Sequence, residues 1–113
     1  MEREDVPTNL KDEIKITASK KTLFLPHAIR QMNKPERMIS EAEVIDVILR
    51  GEIIEDYPED VRGHSCLISG KSSLRRNVHV ECSPKEDYLV IITAYIPNPS
   101  VWNEHDKQRK NKP

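Results

Sequence analysis

The run Tyr88–Ile96 (YLVIITAYI) is the longest apolar stretch in the chain, and it is apolar on both faces. A β-branched segment of this kind, stopped by Pro97, is expected to be an interior strand, because a strand with one solvated face alternates. An interior strand needs neighbours on both sides, and three further segments can supply them. Glu52–Tyr57 stops at Pro58, and Ser65–Ser69 stops at Gly70 and the polar loop KSSLRR. Asn77–Cys82 alternates, with Val78, Val80 and Cys82 on one face and Asn77, His79 and Glu81 on the other. The connections are short, which favours antiparallel pairing.

Two helices are expected ahead of these strands. Leu25, Ile29 and Met32 recur at helical spacing. Pro26 fits only the first turn, where no backbone N–H is required, so the helix should start near it and end before Pro35. That places His27, Arg30 and Lys34 on one face. The second helix carries a capping box, Ser40 with Glu43, and a hydrophobic staple, Ile39 with Val44. Val44, Val47 and Ile48 form its buried stripe, and Gly51 is expected as a left-handed C-terminal stop. Glu13–Ser19, where Ile14 and Ile16 alternate, reads as a short strand or extended entry. The expectation is an α+β domain over residues 13–103: two short N-terminal helices packed on a twisted antiparallel sheet of about four strands. A flexible extension (1–12) and a basic flexible tail (104–113) flank it, and Trp102 is expected to fold back over an edge of the core.

A chain of 113 residues is the size of one domain. No stretch approaches the ~20 apolar residues of a membrane span, and the acidic start lacks the apolar region of a signal peptide. The expectation is therefore a cytoplasmic protein, with Cys66 and Cys82 as buried, reduced thiols. The net charge of −1 hides an asymmetry. Residues 1–60 carry 9 Lys/Arg against 14 Asp/Glu, and residues 61–113 carry 9 against 5. The basic half, with Lys71, Arg75, Arg76, Lys107, Arg109, Lys110 and Lys112, offers an anionic partner a surface; its bland reading is a solvated loop and tail. With glycine only at 51, 63 and 70, there is no Gly-rich phosphate loop, which argues against the usual nucleotide-dependent enzymes.

Several segments, taken in order, resemble a small prokaryotic family, the domain of unknown function numbered four-two-five-eight. They are His27-Ala28 with Arg30 and Met32, then Arg37, Ile39-Ser40, Glu43-Val44 and Gly51. Next come Ile53–Pro58, Gly63–Leu67, Val78–Val80 and Ile92–Pro97, with Pro99 and Trp102. That family resembles, at fold level, ribonuclease toxins of the RelE and BrnT kind, which implies a toxin paired with a small antitoxin protein. The slightly acidic chain departs from the strongly basic character of ribosome-dependent toxins of that fold.

The resemblance implies a metal-independent endoribonuclease without a cofactor. Cleaving RNA through its 2′-OH requires a base at that hydroxyl, a cation at the phosphate and an acid for the leaving oxygen. The candidates are His27, Arg30, His79 and Tyr95 for catalysis, and Arg37, Arg75 and Arg76 for substrate binding. The bland reading makes His27 and Tyr95 structural groups with satisfied polar tips. A zinc set from His64, Cys66, His79 and Cys82 is disfavoured, because i and i+3 positions of a strand point to opposite faces. Cys66 as a nucleophile is likewise disfavoured against a buried packing thiol. The acidic run Glu52, Glu55, Asp56, Glu59 and Asp60 offers a basic partner a surface; the bland reading is a solvated strand edge. The alternative function is a non-catalytic protein-interaction domain on the same scaffold.

Overall fold

A computed structural model describes residues 9–102. The apolar run forms strand β5 (Leu89–Tyr95), interior as expected, within a five-stranded sheet. The other strands are β1 (Thr22–Phe24), β2 (Glu52–Tyr57), β3 (Ser65–Lys71) and β4 (Asn77–Pro84), and the sheet order is β1-β5-β4-β3-β2. β2, β3, β4 and β5 pair antiparallel, whereas β1 runs parallel to β5, with Thr22 opposite Leu89. The sheet is therefore mixed and has one strand more than expected. β1 is three residues long, too short to register as a pattern; its pairing partner lies more than sixty residues away.

Three helices accompany the sheet: α1 (Leu10–Lys20), α2 (Pro26–Met32) and α3 (Glu41–Arg50). α1 corrects the expectation of an extended entry over Glu13–Ser19. Asn9 caps it by accepting from the Asp12 N–H at 2.8 Å, and the helix buries Ile14 and Thr17, three residues apart, while Ile16 lies outside that stripe. Residues 9–12, expected in the N-terminal extension, are its N-cap and first turn; residues 1–8 and the tail over 104–113 lie outside the described residues. α2 begins at Pro26 and α3 carries both halves of its capping box, as their residues dictate.

Gly51 follows α3 with φ −80°, an ordinary extended conformation, which corrects the left-handed stop. Its glycine requirement is spatial. A Cβ there would meet the Ser69 and Val47 carbonyl oxygens at 2.6 Å, and one on Gly70 would meet the Gly51 Cα at 2.9 Å. Two opposed glycines thus let the end of α3 lie directly against β3.

One sheet face and the helices share a single core: Cys66, Ile68, Val78, Val80, Cys82, Leu89, Ile91 and Ala94 pack with Ile14, Ala28, Met32, Val44, Val47 and Ile48. Strand alternation turns Leu67, Ser69, His79, Glu81, Thr93 and Tyr95 to the opposite face. Trp102 is buried, and its ring covers part of that second face. No helix is long and apolar enough to cross a membrane among the described residues.

Candidate functional site

The second sheet face carries His79, Tyr95 and Glu81, with the Arg62 loop beside Glu81. His79 on β4 stands directly opposite Tyr95 on β5. The His79 Nδ1 and the Tyr95 hydroxyl are 3.3 Å apart. The Trp102 ring meets His79 edge to face at a centroid distance of 4.5 Å. His79 is entirely buried, whereas Tyr95 remains partly accessible. The imidazole is thus out of reach of solvent, and the Tyr95 hydroxyl is one of the groups it meets. Two of the four expected catalytic side chains are thus brought together, one accessible and one behind it.

Two positions along the same face of β4 stands Glu81, opposite Leu67 on β3 and Thr93 on β5. Its side chain is 18% exposed, and Arg62 Nη2 lies 3.5 Å from its Oε2. Burial raises the proton affinity of Glu81 above its ordinary value. Arg62 and His27 act in the opposite direction, and Asp60 and Glu55 reinforce the rise. His27, exposed at the start of α2, is therefore within electrostatic reach of Glu81.

Arg62 is held by a turn. Asp60 Oδ1 accepts from the Arg62 backbone N–H at 2.9 Å and from Nε at 3.0 Å, while Oδ2 accepts from Nη2 at 3.0 Å. Ser65 donates its hydroxyl to Asp60 Oδ2 at 2.6 Å. These bonds hold the Asp60 carboxyl well below its usual range and raise the proton affinity of Arg62. Lys85 Nζ donates to the Arg62 carbonyl, and Ser83 donates to the His64 carbonyl at 2.7 Å, fastening the loop to β4. Gly63 makes the turn possible with φ +102°.

The remaining expected residues lie elsewhere. Arg30 is exposed in the last turn of α2, and Arg37 donates to Gln31 Oε1 at 2.9 Å. Arg75 is exposed in the β3–β4 turn with φ +67°. Arg76 is taken up by the scaffold. Its guanidinium bonds both oxygens of Glu43 at 2.9 and 2.7 Å, and the Arg37 and Met38 carbonyls at 2.7 and 3.0 Å. The hydrogen bonds of Arg37 and Arg76 run to Gln31, Glu43 and the α2–α3 loop, away from the face that carries Glu81, His79 and Tyr95.

The thiols of Cys66 and Cys82 stand opposite each other inside the core. The hydrogen bond with Cys66, with burial, pushes the Cys82 thiol well above its ordinary value. His79 points away from them on the other face, and His64 is paired with Asp56 at 2.5 Å at the surface. No group of three or more His, Cys, Asp or Glu side chains is placed to hold a metal among the described residues.

Glu81 and Arg62 were not among the residues singled out from the sequence. Glu81 sat in view on the polar face of its strand, but nothing local distinguishes it from a solvated carboxylate. Arg62 lies nineteen residues away, and only the turn at Asp60 and Gly63 brings it over.

Fold and site together define a small α+β domain with helices on one sheet face and a polar, partly enclosed cluster on the other. A family model described as a domain of unknown function (DUF4258) matches residues 24–96. That span is more than half of the chain, and the protein belongs to this family. Neither the curated proteins nor the solved structures provide a match.

Proposed function

We propose that this protein is a metal-independent endoribonuclease of the RelE/BrnT toxin type, cleaving RNA through its 2′-OH and neutralised by a small partner protein. The observation that carries the reading is Glu81, a largely buried carboxyl with raised proton affinity, 3.5 Å from Arg62 Nη2 and within the electrostatic influence of His27. A carboxylate of raised basicity is a better proton acceptor than an ordinary one. In this reading Glu81 takes the 2′-OH proton as that oxygen attacks phosphorus, and Arg62 stabilises the charge on the phosphoryl oxygens. His27 gives a proton to the departing 5′-oxygen, and the RNA ends in a 2′,3′-cyclic phosphate. Tyr95, oriented by His79, supplies a hydroxyl donor at the same face.

The test is incubation of purified protein with single-stranded RNA in EDTA, beside the same RNA carrying 2′-deoxy substitutions. Expected are fragments ending in cyclic phosphate from the ribose strand only. Intact RNA with folded protein, together with unimpaired bacterial growth after induction, would remove the reading. The alternative, a non-catalytic protein-interaction domain, draws support from the complete burial of His79 under Trp102. Growth arrest abolished by Glu81→Gln at equal abundance would count against that alternative.

A further inference from the structure

We propose that Asp60 is a positioning residue that holds the Arg62 guanidinium over the Glu81 carboxyl and so sets how readily that carboxyl exchanges a proton. The catalytic meaning of this rests on the reading of Glu81 as a base; the positioning itself does not.

The geometry exceeds what a turn requires. An Asp that merely stabilises its own turn needs one oxygen on the N–H two residues ahead, and the bond from the Arg62 N–H to Oδ1 supplies that. The side-chain fork onto Nε and Nη2 is additional, and so is the Ser65 hydroxyl that fixes Oδ2 from the first residue of β3. Burial points the same way. Val61 is 99% exposed, while the Asp60 side chain beside it is 7% exposed. The loop turns its apolar residue to water and its carboxylate inward, toward the arginine. Nε and one edge of Nη2 are thereby committed to Asp60, and Nη1 makes no hydrogen bond among the described residues.

The charged groups sensed at Glu81 are Arg62 and Asp60 from the loop, Glu55 from β2 and His27 from α2. Its cross-strand neighbours Leu67 and Thr93 are uncharged, and His79 lies two positions along its own strand. The attraction of Arg62 for Glu81 outweighs the repulsion from Asp60. Removing the Asp60 charge therefore has two opposite consequences. Loss of repulsion lowers the Glu81 midpoint, and release of Arg62 raises it by more.

The sign decides the matter, read by carboxyl-carbon NMR titration of Glu81 in the full chain. Four proteins are compared: wild type, Asp60→Asn, Arg62→Gln and the double variant. Asparagine retains one acceptor oxygen for the Arg62 N–H, while its NH2 replaces the oxygen that accepts from Nη2 and from the Ser65 hydroxyl; unchanged amide signals for 63–66 verify that the turn survives. Asp60→Asn should raise the Glu81 midpoint when Arg62 is present and lower it in the Arg62→Gln background. A fall or no change in both backgrounds overturns the proposal. Where the wild type cleaves RNA, Asp60→Asn should lose about a hundredfold in kcat, as displaced groups do. The acid limb of its pH profile should move upward with the Glu81 midpoint. Unchanged kcat overturns the proposal. A wild type without ribonuclease activity that still shows the sign reversal overturns the ribonuclease reading alone.

Discussion

Arg76 at the end of the β3–β4 turn grips Glu43 in the first turn of α3 with two charge-assisted hydrogen bonds, Nε to Oε2 at 2.9 Å and Nη2 to Oε1 at 2.7 Å. Ser72 adds a third bond to the same carboxylate at 2.6 Å, and the Ser40 N–H a fourth at 3.3 Å. These bonds, Arg76 foremost, hold the Glu43 carboxyl at about 2 against its ordinary 4.5. A residue serving the capping box of α3 therefore also binds that helix to the sheet and to the α2–α3 loop.

A depressed carboxyl stabilises the fold above its unfolded value and loses that contribution as the pH falls through its folded one. Here the window runs from about pH 4.5 down to about 2. The side chain of Arg76 is 33% exposed, so screening limits the contribution to ~2–3 kcal/mol. Urea unfolding of wild type and Glu43→Gln should show this gap at pH 6 and a gap that has largely closed at pH 2. An equal gap at both would contradict the assignment. Arg76→Ala should cost ~3 kcal/mol near neutrality, since it strands a buried carboxylate.

Tyr95→Phe and His79→Ala should separate. His79 is fully buried, with the Tyr95 and Trp102 rings against it. Its truncation opens a core-like cavity and should cost ~2–4 kcal/mol in thermal or chemical unfolding. Tyr95→Phe deletes one hydrogen bond, costing ~1 kcal/mol. Under the ribonuclease reading it should lower cleavage about a hundredfold, as loss of a transition-state donor does.

Gly70→Ala should destabilise through crowding. The added Cβ would lie 2.9 Å from the Gly51 Cα and 3.4 Å from its nitrogen, both backbone atoms that cannot swing aside. The expected cost is ~1–3 kcal/mol in denaturant unfolding. Gly63→Ala should also destabilise, for a different reason: φ there is +102°, a conformation that side chains disfavour. A Gly70→Ala protein as stable as wild type would show that α3 and β3 can separate at no cost.

What the sequence discloses follows the range of the interactions. α3 is legible because Ser40, Glu43 and Val44 are local partners, and β5 because its run is apolar throughout. α1 is not, because Ile14 and Ile16 imitate alternation while the buried pair is Ile14 and Thr17. Thr17 is polar, and its hydroxyl is satisfied by the Glu13 and Ile14 carbonyls, so it enters the core without an apolar signature. β1 depends on a parallel partner at the far end of the chain. Within the candidate site, His79 and Tyr95 are legible as residue types and their pairing as a consequence of antiparallel register. Arg62 and Glu81 are not, because a turn conformation determines their approach. The basic neighbours Arg75 and Arg76 differ for a related reason: Arg76 bonds partners 33 to 39 residues away, which no local pattern reveals.

Glu81→Gln should divide stability from activity. The folded state raises the proton affinity of Glu81, chiefly through burial, so ionising it opposes folding. Because the folded value exceeds the unfolded one, stability declines as the pH rises through the carboxylate range and Glu81 loses its proton. Glutamine keeps the volume and removes the charge, so the variant should match or exceed wild type in unfolding midpoint at pH 7. The advantage should vanish below about pH 4, where the wild-type carboxyl is protonated in both states. Cleavage of RNA should nonetheless fall by about 10²–10⁴-fold, the usual loss on removing a general base. A variant that is both less stable and equally active would place Glu81 in the scaffold as a partner of Arg62. One that is more stable and inactive would mark it as a group kept in an unfavourable setting for its chemistry.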